Sequence, residues 1–226
     1  PGELEIYVSM VQQQYLLTAQ GISMSPVLAS TTLEVNLSGL PISQGQVLPI
    51  SVLLSDWLET PLSGATVLIT VENATGYVVQ SDTRITGSDG RCVMAYTCSF
   101  VGDFAIRAEY AGFMLNASSQ DSQLQRVTVV PDIVLENEPS AEVGAAFQVS
   151  VGLVDNLDDW IAGKSVELTI DQDGVTIFES SKLTIDGLVM FSWTPTERGP
   201  YVISIIHQGD GYHYLYNDTE IDLNAL

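Results

Sequence analysis

The sequence predicts an all-β protein of two tandem β-sandwiches that follow an N-terminal extension strand. Residues 50–71 align without gaps on residues 149–170, which indicates two copies of one fold. Within each copy apolar and polar residues alternate, as they do on half-buried strands. Turn signals recur at intervals of about 8 to 12 residues, and no segment shows a helical period. These features predict a two-sheet sandwich in each copy.

The composition supports folded cores and excludes several classes of partner. The 226 residues include 28 Asp and Glu against 7 Lys and Arg, for a formal charge of -21. Hydrophobic residues make up 46%, and the mean hydropathy is +0.22, so wholesale disorder is excluded. A surface this negative repels phosphate backbones and anionic lipids, so we expect no nucleic-acid partner. No apolar run reaches the roughly 18 residues of a transmembrane segment.

The first 29 residues form the predicted N-terminal extension. The apolar positions of a strand with one apolar face are Leu4, Ile6, Val8 and Met10. Such a strand needs a partner for its backbone and cover for its face. Three alternatives would satisfy the strand. It packs on its own domain as an extra edge strand, it is the last strand of a domain absent from this chain, or it inserts into a neighbouring subunit as a donor strand. Donation from subunit to subunit does not close into a ring, so it predicts a homopolymeric filament.

The internal repeat sets the predicted domain boundaries. The aligned pairs include Asp56 with Asp155, Leu58 with Leu157, Gly64 with Gly163 and Val67 with Val166. After a two-residue slip the register resumes with Gly90 on Gly187, Gly102 on Gly199 and Gly112 on Gly209. The predicted domains are therefore residues 30–130 and 131–226, after the extension at residues 1–29. The linker near Pro131 is short.

Motifs of both copies resemble the immunoglobulin-like repeats of invasin-type and macroglobulin-type bacterial and archaeal surface proteins. In the first copy they are Gly64–Val67, Asp89–Gly90 and Gly102–Ile106, and in the second Gly163–Val166, Asp186–Gly187 and Phe191–Tyr201. The resemblance covers residues 31–226 and implies immunoglobulin-like sandwiches. Because these motifs are structural, they indicate a fold more strongly than a function. The paired Cys around a core Trp found in antibody domains are absent.

Four Asn-x-Ser/Thr sequons indicate an exported protein that carries N-linked glycans. They begin at Asn36, Asn73, Asn116 and Asn217. The chain opens with Pro1 and Gly2, so either a signal peptide has been removed or the sequence is a piece of a longer protein. We expect an extracellular or cell-surface location. Chance occurrence of the sequons in a Ser/Thr-rich chain is the alternative.

The two cysteines are predicted to be free thiols. Cys92 and Cys98 are six residues apart, or about 20 Å if that stretch is an extended strand, which is too far for a disulfide. A bridge between them or to another chain is the alternative.

The residues that carry catalysis in other proteins are sparse, so we predict no enzymatic activity. His207 and His213 are the only histidines, and neither has a recognisable nucleophile motif beside it. We expect no cofactor. The acidic loop with Asp155, Asp158 and Asp159 is the candidate for calcium, because Ca²⁺ is bound by carboxylate and carbonyl oxygens. Turn aspartates that cap their own backbone are the more common alternative.

Two functions follow from these patterns. The main expectation is a subunit of a cell-surface filament or envelope layer assembled through the donor strand. The alternative is an adhesion or glycan-binding immunoglobulin-like module of a larger surface protein. The aromatic candidates for stacking on sugars are the loop residues Trp57 and Trp160, together with Tyr212, Tyr214 and Tyr216. The alternation of the three tyrosines on one face of a strand also suits a packed face or a subunit contact.

Overall fold

The structure, a computed structural model, describes residues 6–10, 13–17, 28–137 and 139–225. For residues 6–10 and 13–17 the description is limited to the backbone. All regular secondary structure in these ranges is β-strand, which confirms the all-β prediction. The described residues accordingly contain no helix of the length and apolar character that spanning a bilayer requires.

Seventeen strands make up the described chain. The extension has β1 (Ile6–Met10) and β2 (Gln13–Leu17). The strands of the first repeat are β3 (Thr31–Asn36), β4 (Ile42–Ser43), β5 (Val47–Asp56), β6 (Thr66–Asn73), β7 (Val78–Ile85), β8 (Arg91–Thr97), β9 (Gly102–Tyr110) and β10 (Ser119–Thr128). Those of the second are β11 (Asp132–Leu135), β12 (Phe147–Val154), β13 (Ser165–Gln172), β14 (Val175–Leu183), β15 (Leu188–Trp193), β16 (Gly199–His207) and β17 (Asn217–Ala225).

Both repeats have the same two-sheet topology, except that β4 adds a fifth strand to one sheet of the first repeat. In the first, the sheets have the orders β3-β5-β8 and β4-β10-β9-β6-β7. In the second they are β11-β12-β15 and β14-β13-β16-β17. Each repeat has a long hairpin, β6–β7 in the first and β13–β14 in the second. The second strand of the hairpin pairs with the first and not with the strand that follows it in the chain, β8 or β15, which belongs to the other sheet. The repeat detected in the sequence is therefore a repeat of topology.

The chain separates into two compact units. Unit 1 comprises residues 1–40, 47–97 and 103–125, and unit 2 comprises residues 41–46, 98–102 and 126–226. The domain boundaries expected from the sequence, after residues 29 and 130, remain a prediction.

The core of unit 1 follows from strand alternation. In β8 every second residue is buried, and the buried side chains are Cys92, Met94 and Tyr96. Val52 and Leu54 of β5 are also fully buried. Burying an aliphatic side chain of this size contributes about 1.5–3 kcal/mol, so the period-two pattern drives the folding of the sheets.

Aromatic packing and a tyrosine hydrogen bond reinforce the core of unit 2. Trp193 contacts Phe147 and Tyr201 edge to face, with ring centroids 5.7 and 5.0 Å away. The Tyr201 hydroxyl donates a hydrogen bond of 2.6 Å to the carbonyl oxygen of Glu197. This bond resembles the tyrosine corner of immunoglobulin domains, in which a buried tyrosine anchors the chain just upstream. The aligned residue in unit 1, Phe104, has no hydroxyl group.

The turns that follow β5 and β12 are each held by hydrogen bonds to one aspartate. Asp56 Oδ1 accepts hydrogen bonds of 2.9 Å from the backbone N–H groups of Leu58 and Thr60. Asp155 Oδ1 does the same for the aligned residues, at 2.8 Å from Leu157 N and 3.1 Å from Asp159 N. The acidic turn seen in the sequence is therefore a structural cap in both units.

Trp160, in the turn after β12, packs against Gly152 and Gly187. A Cβ on Gly187 would lie 2.5 Å from Trp160 Cβ, and a Cβ on Gly152 would lie 2.1 Å from Trp160 Cζ3. Gly187 also has a φ of +84°, which L-residues rarely adopt. Neither glycine can gain a side chain unless the tryptophan moves.

We expect Gly187→Ala to lower the free energy of unfolding of unit 2 by about 2–4 kcal/mol, because left-handed strain and the clash with Trp160 add together. The matched control is Gly163→Ala, since Gly163 has a φ of +73° but an added Cβ has no neighbour within 4 Å. This control carries the backbone strain alone, about 1–2 kcal/mol. Urea denaturation followed by tryptophan fluorescence measures both values. Equal losses in the two variants would contradict the role of Trp160.

Candidate functional site

The tyrosines considered for sugar stacking lie in a loop, not on a strand. This loop, residues 208–216, connects β16 to β17 and is closed by Asp210. Asp210 Oδ1 accepts hydrogen bonds from the N–H groups of Tyr212, His213 and Tyr214 at 2.9, 2.7 and 2.9 Å. The strand alternation inferred for these tyrosines is wrong, because turn hydrogen bonds replace the sheet ladder here.

Two cations cover faces of the loop tyrosines. Arg126 Cζ lies 3.4 Å from the ring centroid of Tyr212, and Lys164 Nζ lies 3.7 Å from that of Tyr214. Lys164 Nζ is also 3.1 Å from Asp210 Oδ2. Each of these rings therefore has one face engaged by a cation–π contact within unit 2, which reduces the surface available for a sugar.

The electrostatics of the loop centre on Asp210. Burial opposes ionisation of its carboxyl group, but hydrogen bonds from three backbone N–H groups and from Lys164 outweigh that effect. The pKa of Asp210 is therefore held well below its ordinary value. A carboxylate that remains charged and is held by four donors is a structural anchor rather than a proton donor.

The remaining aromatic candidates are, like Tyr212, about half exposed or more. Trp57 is 60% exposed in the turn after β5, and Tyr216 is 52% exposed. Trp160 is half exposed, but part of its ring lies against Gly152 and Gly187. The structure does not gather the five aromatic candidates into one platform within either unit, and glycan binding stays a prediction.

The calcium candidates lie in the turn that follows β12. Besides its two turn hydrogen bonds, Asp155 accepts one of 2.6 Å from Gln44 Nε2 at its Oδ2. Asp158 has a φ of +64° in the same turn, and the Asp159 N–H bonds to Asp155. In the described residues no group of three or more His, Cys, Asp or Glu side chains is arranged to hold a metal ion. The calcium site stays a prediction.

The histidines and cysteines lie in strands or loops and belong to the packing and hydrogen bonding of the fold. His207 is buried in β16, with Nδ1 2.8 Å from the Ser165 carbonyl oxygen. His213 belongs to the Asp210 loop. Cys92 and Cys98 are buried and are not joined by a disulfide, so the prediction that they do not pair with each other is confirmed. Burial raises the pKa of the Cys92 thiol, and the charge of Arg84 partly opposes this.

A groove of about 1110 Å³ in unit 1 was not found from the sequence. It lies between the segment leading into β6, the end of β9 and the loop of residues 111–118. Its lining includes Leu62, Ala65, Leu68, Tyr110, Phe113 and Asn116. Phe113 is 67% exposed, so an aromatic face borders an open, mainly apolar depression. Grooves of this kind suit contact with another molecule better than chemistry on a small substrate.

Two aligned positions distinguish the groove region from its counterpart in unit 2. Where unit 2 has Lys164, unit 1 has Ala65, and where unit 2 has Asp210, unit 1 has Phe113. Unit 1 therefore lacks the ion pair that closes the 208–216 loop onto its sheet. The repeat alignment contained this signal, because the two oppositely charged residues of one copy are both uncharged in the other.

The predicted glycan acceptors occupy four different settings. Asn36 ends β3, and Asn73 lies at the tip of the β6–β7 hairpin. Asn116 lines the groove, and Asn217 begins β17. The structure brings none of these into a shared site within either unit, and their glycosylation stays a prediction.

Three of the four predicted donor-strand residues fall within the described residues, where only their backbone is described. Leu4 is outside the described residues. Ile6, Val8 and Met10 belong to β1, whose backbone pairs antiparallel with β2 from Ile6–Leu17 to Met10–Gln13. In the described part of the extension β1 is therefore paired rather than the single strand expected, because residues 13–17 supply a partner. Donation to a neighbouring subunit stays a prediction.

Comparisons with known proteins support the fold. No family model matches the sequence, and no curated protein matches it. Among solved structures, a tetra-tandem repeat from the extending region of a large adhesion protein matches with a TM-score of 0.55 at 17% identity. The match covers 95% of this chain and 56% of that one, so this chain spans little more than half of its length.

Two further structures are similar at lower scores. Invasin, a bacterial integrin-binding protein, has a TM-score of 0.48 at 17% identity, covering 86% of this chain and 40% of invasin. FdeC, an Escherichia coli adhesin, has a TM-score of 0.42 at 13% identity, covering 95% of this chain and 74% of that one. The expected resemblance to bacterial immunoglobulin-like surface repeats is confirmed for the fold by the tetra-tandem repeat.

We expect Asp210→Asn to lower the free energy of unfolding by about 1 kcal/mol at pH 7, a modest loss because the carboxylate is one-third exposed. The pKa of Asp210 is lower in the folded chain than in the unfolded chain, where it is about 3.9. The charged carboxylate therefore stabilises the folded state at pH values above about 3.9. The difference between wild type and variant should therefore shrink as the pH falls below about 4. Urea denaturation at pH 7, 4 and 2.5 measures it.

The control is Asp173→Asn, in the exposed turn between β13 and β14, where the carboxylate accepts no hydrogen bond among the described residues. Its free energy of unfolding should match that of wild type at every pH. A pH-independent loss in Asp210→Asn would contradict the anchoring role of the charge.

Proposed function

We propose that this chain is a repeat module of a cell-surface adhesion protein and that it works as folded structure rather than as a catalyst. The observation that carries this proposal is the match over 95% of the chain to the extending-region repeats of an adhesion protein. The two repeated sandwiches agree with that role, because such arrays are built from stable, self-contained units.

The side chains of the described residues support a structural role. The carboxylates with the clearest geometry, Asp56, Asp155 and Asp210, cap turns. The two histidines have no nucleophile in a recognisable motif beside them. The groove of about 1110 Å³ in unit 1 has mainly apolar walls, and its lining lacks a convergent set of acids and bases. A binding module needs such surfaces, whereas an enzyme needs paired catalytic groups.

The proposal includes an extracellular location for the chain. The strong negative charge suits a hydrated, exposed surface and opposes adsorption to nucleic acid. The structures that resemble this chain include bacterial adhesins. The sequons and the adhesion-type fold point to the same compartment.

Antibodies against the chain are expected to label intact source cells without permeabilisation. An antibody to a cytoplasmic protein serves as the control and should label permeabilised cells only. Protease treatment of intact cells should remove the signal. Labelling that requires permeabilisation would contradict the surface location and with it the adhesion role.

The filament subunit is the second candidate, and it rests on the apolar alternation of Ile6, Val8 and Met10. Strand addition to the β1–β2 hairpin would extend a sheet from one chain to the next. The adhesion-module proposal predicts instead that the purified chain is monomeric, since each unit has a complete core.

Sedimentation velocity separates the two candidates. We expect monomers for the full chain, for a chain without residues 1–11 and for Val8→Asp. Polymers of the full chain that disappear in both variants would contradict our proposal and support strand donation. The near-ultraviolet circular dichroism of each variant shows whether the sandwiches remain folded.

A further inference from the structure

The four sequons differ in what the fold does with the asparagine amide. An N-glycan is attached to Nδ2, so this atom must be accessible and free of a competing hydrogen bond. The Ser or Thr two positions later must also be available to the enzyme. Asn73 and Asn217 are both half-buried. They differ in that, among the described residues, Nδ2 of Asn217 is engaged in a hydrogen bond and that of Asn73 is not, and in that Thr75 is exposed whereas Thr219 is half-buried in β17.

Asn73 Oδ1 organises the tip of the β6–β7 hairpin. It accepts hydrogen bonds from Thr75 N at 3.0 Å, Thr75 Oγ1 at 2.7 Å and Tyr77 N at 3.0 Å. All three bonds use the carbonyl oxygen of the amide, and Nδ2 donates none to the described residues. The sequon asparagine and the sequon hydroxyl are thereby held side by side in an Asx turn.

The surroundings of Asn73 are open. Residues 74–77 are all exposed, and Gly76 completes the turn with a φ of +81°. The backbone of the tip is satisfied within the hairpin, through Asn73 N to Tyr77 O and Gly76 N to Asn73 O, both 2.9 Å. An enzyme can therefore reach the sequon without breaking the sheet.

Asn217 has the opposite arrangement. Its Nδ2 donates a hydrogen bond of 2.8 Å to the Pro131 carbonyl oxygen, and its Oδ1 accepts one of 3.0 Å from Asp218 N. Its backbone pairs with His207 in the β16–β17 ladder, which also includes Thr219 of the sequon. Glycosylation of Asn217 would cost the bond to Pro131 and disturb an ordered strand.

We propose that Asn73 is an N-glycan acceptor of the folded chain and that the fold closes Asn217 to modification. The glycosyl donor is a lipid-linked oligosaccharide diphosphate. Asn73 Nδ2 attacks the anomeric carbon, a C–N bond forms as the C–O bond to the diphosphate breaks, and the amide proton passes to a base. The lipid diphosphate leaves, so no redox partner is needed. This inference is independent of the adhesion role.

The test is glycosylation of the purified full chain in vitro. The reagents are an oligosaccharyltransferase that accepts three-residue sequons and a polyprenyl-diphosphate oligosaccharide. Glycopeptide mass spectrometry then gives the occupancy of each site in the folded chain and in chain unfolded and diluted immediately before the reaction. We expect the folded chain to carry glycan on Asn73 with at least tenfold higher occupancy than on Asn217, and unfolding to remove most of that difference.

Matched variants separate the fold from the local sequence. Thr75→Ser keeps a hydroxyl and should remain glycosylated, whereas Thr75→Ala should lose the glycan at Asn73. Asn73→Gln should lose the Asn73 glycan without opening Asn217. Equal occupancy of the two sites in folded wild-type chain would overturn the proposal, and so would an unmodified Asn73 in that chain.

Discussion

Backbone N–H groups at the ends of β-strands need partners, and in this protein side-chain oxygens supply many of them. Asp56 and Asp155 each accept two turn N–H groups, and Asp210 accepts three. Asn73 does the same at a hairpin tip. These hydrogen bonds hold each turn closed at the point where its strand ends. Part of the acidic composition is therefore structural.

Several of the few basic residues make contacts within the fold. Lys164 pairs with Asp210 and lies over the ring of Tyr214, and Arg126 lies over Tyr212. In a chain with seven Lys and Arg, each such contact leaves fewer cations on the surface. The excess of Asp and Glu over Lys and Arg gives the chain its strongly negative net charge. The same contacts engage one face of Tyr212 and one face of Tyr214 in the unit 2 loop.

The fold was predictable because its signals are local and repeated. Period-two alternation, as in β8, fixes which face of a strand is buried, and paired glycines such as Gly64 and Gly163 keep the same positive φ in both units. The site was less predictable. The buried threonine pair shows why: Thr86 donates to the Leu62 carbonyl and Thr184 to that of Ile161, across more than twenty residues. No spacing rule indicates such a bond.

The sequence by itself determined the strand content, the two-sandwich repeat and the location of the acidic turns, because each depends on neighbours within a few residues. The tertiary structure decided which polar groups are already in use. Arg126 of β10 contacts the ring of Tyr212, and the Pro131 carbonyl oxygen accepts a hydrogen bond from Asn217, although each pair is far apart in the sequence. It also decided that residues 13–17 pair with β1. A free group and an engaged group have the same letter in a sequence, and only folding brings the distant partner to hydrogen-bonding distance.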